Sequence, residues 1–192
     1  MVKPITMISI MITIAMLSLV GVSGNDAPLS TARVIAAFDQ VSPGGELPLA
    51  VVFTMAEGWH TYAEEPGDAG MPPDIRISGP DGLETGSWRF PPAQVFTDDL
   101  GSYYGYEGQV ALIGSVKLPA VLPVGQAVEL AVALDWMICL DICVLLRDSQ
   151  TLTITMAEQS GEAGEEWQKI LEAGGWSARE KTNTEADASG KE

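Results

Sequence analysis

The chain has 192 residues, 46% of them hydrophobic, which suits one globular domain with a real core. It carries 26 acidic against 10 basic residues, a formal net charge of −16. A surface this negative repels phosphates, which argues against nucleic acid and anionic membrane surfaces as partners.

Lys3 opens a targeting segment. Residues 5–20 are apolar apart from Thr6, Ser9, Thr13 and Ser18, and Val22-Ser23-Gly24 supplies small residues for cleavage. The expectation is a signal peptide over 1–24, a mature chain from Asn25, and a soluble periplasmic product. The alternative is an uncleaved anchor helix, because the apolar stretch approaches spanning length. Membrane contact is then expected only through a partner or through that uncleaved signal. Exported thiols meet oxidising machinery, so a cysteine pair is expected to be bridged at least part of the time.

From Asn25 the pattern is β. Residues 32–41 form an apolar run that stops at Ser42-Pro43-Gly44-Gly45. Leu47, Leu49, Val51, Phe53 and Met55 alternate with smaller or polar residues, the period of a strand with one face on a core. Glu57-Gly58-Trp59-His60-Thr61-Tyr62 leads into a Gly/Pro-rich loop over 65–73. A short strand over 74–78 and a turn at Gly79-Pro80-Asp81-Gly82 come next. Residues 87–90 pair briefly before Pro91-Pro92, and 96–106 read as a loop, acidic first and aromatic after. A strand follows over 109–118. Val128, Leu130, Val132, Leu134 and Trp136 line one face of another, and 151–156 is a further strand-like run.

Short strands with regular turns imply an all-β, immunoglobulin-like antiparallel sandwich over 25–158. The one helical signal is Trp167, Ile170 and Leu171, at i, i+3 and i+4, within a short helix over 159–176 that Gly174-Gly175 can end. Residues 177–192 lack large apolar side chains and are expected to be a disordered tail.

The only two cysteines are Cys139 and Cys143, in Asp135-Trp136-Met137-Ile138-Cys139-Leu140-Asp141-Ile142-Cys143. Four readings compete. A structural bridge over so short a loop contributes only about 2 kcal/mol. A soft-metal site for Cu(I) would need both thiolates with Met137 or His60; His60 is far away in sequence, and no metal ligand is assigned. Two inert core thiols would tend to oxidise on export. A redox-active pair is the fourth reading, since a three-residue spacer lets the sulfurs meet across a tight hairpin. Asp135 and Asp141 flank the pair as modulating charges, with Arg147 the nearest cation in sequence. Negative neighbours disfavour thiolate, so the pair reads as a relay that a partner must attack or activate.

Four segments in register carry a resemblance: 58–62 (Gly-Trp-His-Thr-Tyr), 66–73 (Pro-Gly-Asp-Ala-Gly-Met-Pro-Pro), 104–108 (Tyr-Gly-Tyr-Glu-Gly) and 136–143 with the cysteines. Together they resemble the N-terminal periplasmic domain of the DsbD thiol:disulfide interchange proteins, especially the ScsB-like branch, over roughly residues 30–156. The resemblance implies an immunoglobulin-like fold and a thiol-disulfide oxidoreductase role without a cofactor. It implies that Cys139 and Cys143 exchange electrons between a membrane-embedded DsbD-type thiol reductase as donor and a periplasmic disulfide protein as client. It also implies a cap loop over the cysteines, matched here by Asp98, Asp99, Tyr103 and Tyr104, with Tyr103 the cap itself. Val144-Leu145 stands where the family usually has a proline. The family's membrane and thioredoxin-like domains are not in this sequence, so the expectation is a separate membrane partner, or a role as a stand-alone carrier or substrate-facing module. Against the relay stands a non-catalytic immunoglobulin-like binding module with a structural bridge.

Overall fold

The computed structural model describes residues 28–98 and 101–174. The expected signal peptide, Asp99 and the expected tail lie outside them. The strands are β1 (Ser30–Ala36), β2 (Gln40–Val41), β3 (Glu46–Met55), β4 (His60–Gly67), β5 (Asp74–Ser78), β6 (Glu84–Thr85), β7 (Gln94–Asp98), β8 (Gly101–Glu107), β9 (Gln109–Lys117), β10 (Ala127–Cys139) and β11 (Cys143–Met156). One helix, α1, spans Glu165–Ala173.

Two sheets make the sandwich. The first runs β1-β3-β9-β6, and the second runs β2-β11-β10-β4-β8-β7, with β5 also on β10. All pairings are antiparallel except the short contact of β2 with β11. The alternation expected on β3 and β10 appears as burial: Leu47, Leu49, Val51, Phe53, Val128, Leu130, Val132, Leu134 and Trp136 all face inward. Phe53 and Trp136 meet between the sheets with ring centroids 5.4 Å apart. The Trp136 indole N–H, which needs a partner once buried, donates to Ser30 Oγ at 3.0 Å.

Where the sequence suggested a loop over 96–106, β7 and β8 form a hairpin with Phe96 opposite Tyr103. The apolar run over 32–41 splits into β1 and β2. Ahead of α1, Gly161 and Gly164 donate their N–H groups to the carbonyls of Gln40 and Ala37, which keeps that segment extended. The helix buries Trp167 and Leu171 against Ala37, Ala50 and Ile113 on the outside of the first sheet.

The second sheet positions the site. One edge of β10 is covered throughout by β11. The other edge is shared, with β5 along residues 131–135 and β4 only at Ile138 and Cys139. The tip of β10 therefore sits beside β4, β8 and β7.

Candidate functional site

β10 and β11 pair in unbroken register from Ala127 opposite Thr155 to Cys139 opposite Cys143. The three residues between the cysteines form the turn, in which the Leu140 N–H donates to the Ile142 carbonyl at 3.2 Å. The sulfurs are joined in a disulfide. Side chains alternate along a strand, so Cys139 shares the outer face with Met137 and Asp135, while Trp136 and Ile138 point into the core. The two cysteines are unequal: Cys139 is 4% exposed, whereas Cys143 is open to solvent.

Aromatic side chains bury Cys139. It packs in an outer-face cluster with Tyr62 and Tyr103, joined by Phe96 and Met137. His60, its cross-strand partner on β4, is also buried. The imidazole stacks on Tyr103 with centroids 4.8 Å apart and on Phe96 at 5.2 Å. Phe96 and Tyr103 stack on each other at 5.4 Å, 10° from parallel. Tyr62 lies edge-on to His60, and its hydroxyl reaches to 3.8 Å from Cys143 Sγ.

Among the residues expected to form a cap, Tyr103 lies in this cluster and Tyr104 does not; alternation on β8 turns Tyr104 to the opposite face, where it stays exposed. Asp98 pairs with Gly101 where β7 turns into β8. His60 and Phe96 were not expected here. In sequence nothing ties His60 to the thiols; the β4–β10 pairing supplies that tie. The available signal was the strand pattern of Trp59-His60-Thr61-Tyr62, which puts His60 and Tyr62 on one face.

The Pro66-Gly67-Asp68-Ala69-Gly70 segment buttresses the hairpin carrying Tyr103. The Ser102 N–H donates to Asp68 Oδ2 at 3.1 Å, and the Asp68 N–H donates to the Ser102 carbonyl at 3.1 Å. Gly70, at φ +97°, lies against the Tyr62 ring so closely that a Cβ there would fall 2.1 Å from a ring carbon. At Gly105 a Cβ would meet the Thr61 carbonyl oxygen at 2.1 Å. Both glycines allow close approach that no larger residue permits.

The electrostatics differ from a simple count of flanking acids. Asp135 sits two turns of the pleat from Cys139 and is held by Arg76 at 2.5 Å and Arg147 at 2.9 Å. The hydrogen bond from Arg76, reinforced by the charges of both guanidiniums, pulls its carboxyl below the usual range, and the same contact raises Arg76. Asp135 is thus a neutralised charge rather than a bare anion beside the thiols. Asp141 is exposed in the turn. On the inner face, Tyr106 donates to the Pro91 carbonyl at 2.8 Å. Burial first, then the Glu64 charge, pushes its phenol up to about 12.

The fold and site define a β-sandwich in which a disulfide closes one hairpin and aromatic side chains bury one of its two sulfurs. The chain matches the family model described as thiol:disulfide interchange protein DsbD, N-terminal, over residues 27–155, and it belongs to that family. Among solved structures it is similar to the N-terminal periplasmic domain of ScsB from Proteus mirabilis, at 24% identity and a TM-score of 0.54, over 77% of this chain and 55% of that one. It is also similar to the reduced Neisseria meningitidis DsbD n-terminal domain, at 15% identity and a TM-score of 0.36, over 69% of this chain and 90% of that one. The chain thus spans little more than half of the ScsB structure. No curated protein sequence matches it.

Proposed function

We propose that the chain is an exported thiol-disulfide relay module that exchanges its Cys139–Cys143 bridge with protein thiols. The observation that carries this reading is the unequal exposure of the two sulfurs. Exchange requires an attacking thiolate to approach one sulfur in line with the S–S bond. Cys143 offers that approach at the hairpin tip, while Cys139 is shielded by Tyr62 and Tyr103. A donor's thiolate attacks Cys143 Sγ, the S–S bond breaks, and Cys139 leaves with the electron pair. The donor's second thiolate then resolves the mixed disulfide, so two electrons enter this chain and the donor leaves oxidised. Run in reverse, the reduced pair passes the electrons to a client's disulfide.

In keeping with the family, the donor is a membrane-embedded thiol reductase of DsbD type and the client a periplasmic disulfide protein. Tyr103, on the hairpin that also carries Asp98 and Tyr104, serves as the cap that limits access to Cys139. While the pair is bridged neither sulfur is a thiolate, so the bridged state lacks the thiolate pair that the Cu(I) reading requires.

The test is redox equilibration in glutathione buffers. A potential in the range of exchange proteins supports the relay. A bridge that stays closed below roughly −300 mV marks a structural staple in a binding module instead.

A further inference from the structure

One row of residues crosses four strands at the capped end of the second sheet. Cys143 on β11 is opposite Cys139 on β10, Cys139 is opposite His60 on β4, and His60 is opposite Glu107 on β8. Directly opposed residues present their side chains on the same face, with Cβ atoms about 4.5–5.5 Å apart. The outer face thus carries the disulfide, His60 and Glu107 in one row, with Glu107 exposed at its end. His60 is the only histidine in the sequence and is 5% exposed, and Cys139 is 4% exposed.

We propose that His60 is the acid–base group for Cys139, with Glu107 as a positioning residue that favours its protonated form. The inference rests on the relay reading and adds to it how the buried half of the exchange is discharged. When a partner thiolate opens the bridge at Cys143, the leaving sulfur is Cys139, and a bare thiolate beneath Tyr103 and Phe96 is costly because water cannot solvate it. The imidazolium of His60 gives that sulfur its proton, leaving a neutral thiol and a neutral imidazole. In the donating direction the neutral imidazole takes the proton back as Cys139 attacks Cys143 of the mixed disulfide and the client's thiolate leaves. The partner throughout is a protein dithiol or disulfide. Among the described residues, the groups facing His60 include Tyr62 on its own strand, Cys139 on β10, Tyr103 and Glu107 on β8, and apolar Phe96 on β7. Glu107 is the one carboxylate in that row, and Asp135 is engaged by Arg76 and Arg147 elsewhere on the face.

The experiment pairs two measurements on the full chain. The first follows the single imidazole by NMR from pH 5 to 9 in the disulfide and dithiothreitol-reduced states. The expected result is a titration that moves when the pair is reduced and moves down in Glu107→Gln. The second compares stopped-flow reduction by dithiothreitol for the wild type and His60→Phe, which keeps a ring to stack on Tyr103. The variant is expected to reduce about a hundredfold more slowly and to lose an inflection that the wild type shows. A packing role alone would change stability and leave the profile in place. The proposal is overturned if His60→Phe reproduces the wild-type pH profile, or if the imidazole titrates identically in both redox states. The NMR comparison decides alone should the variant not fold. Failure of the relay reads differently: the wild-type bridge would then stay closed in glutathione whatever His60 does.

Discussion

Phe96 and Tyr103 face each other across the β7–β8 hairpin and stack 10° from parallel, so the aromatic cover over Cys139 draws on two strands rather than a single side chain. Asp68 fastens that hairpin through two hydrogen bonds to the Ser102 backbone, one accepted by its carboxylate and one donated by its N–H. Losing the carboxylate releases one of them, at about 1 kcal/mol, without removing any ring. Asp68→Ala should therefore fold and should let glutathione reduce the bridge several-fold faster. Tyr103→Ala should accelerate it further. Equal reduction rates in all three proteins would mean that the aromatics do not limit access.

The exposure difference between the cysteines makes a second expectation. In Cys139→Ala the remaining thiol is on the open side of the hairpin, and in Cys143→Ala it is under the cap. Iodoacetamide should alkylate the first at least about tenfold faster than the second, since reactivity follows access as well as thiolate fraction. The same two variants should differ in trapping: Cys139→Ala should hold mixed disulfides with partner proteins, and Cys143→Ala should hold few. A reversed order would place the attacked sulfur at Cys139 and undo the direction of exchange.

Much of this architecture could be read from the chain because its determinants are local. The alternation on β3 and β10 is a property of consecutive residues, and the three-residue spacer of the cysteines is enough for a hairpin tip. What escaped depends on pairings between distant segments. His60 meets Cys139 only because β4 takes over the edge of β10 where β5 ends. Phe96 reaches the site only through its register with Tyr103. The segment over 96–106 looked like a loop because glycine, acids and tyrosines hide its period. Asp135 looked like a repelling neighbour because Arg76, 59 residues away, is not visible beside it.

Asp135 also gives a pH dependence. Its folded carboxyl is depressed, chiefly by the hydrogen bond from Arg76. A depressed acid stabilises the fold above its unfolded pKa, near 3.9, and loses that contribution as pH falls through the lower folded value. Thermal melts of the wild type and Asp135→Asn should therefore differ at neutral pH, with the wild type higher. The gap should close below the ordinary carboxylate range. A gap independent of pH would show that charge is not what Asp135 contributes.

Trp167 tests whether the helix belongs to the domain. Its ring is 4% exposed and packs with Leu171 on Ala37, Ala50 and Ile113, while an isolated helix of nine residues would not persist in water. The helix is therefore held by this contact rather than by its own hydrogen bonds. Removing a buried indole costs about 3 kcal/mol when the surroundings cannot close over the gap. Trp167→Ala should lower the unfolding free energy from denaturant melts by that amount and reduce the helical circular-dichroism signal. The cysteines lie on the outer face of the other sheet, so glutathione equilibration should not move. A shifted potential in this variant would mean that the first sheet, on which the helix rests, communicates with the hairpin tip through the core formed by Phe53 and Trp136.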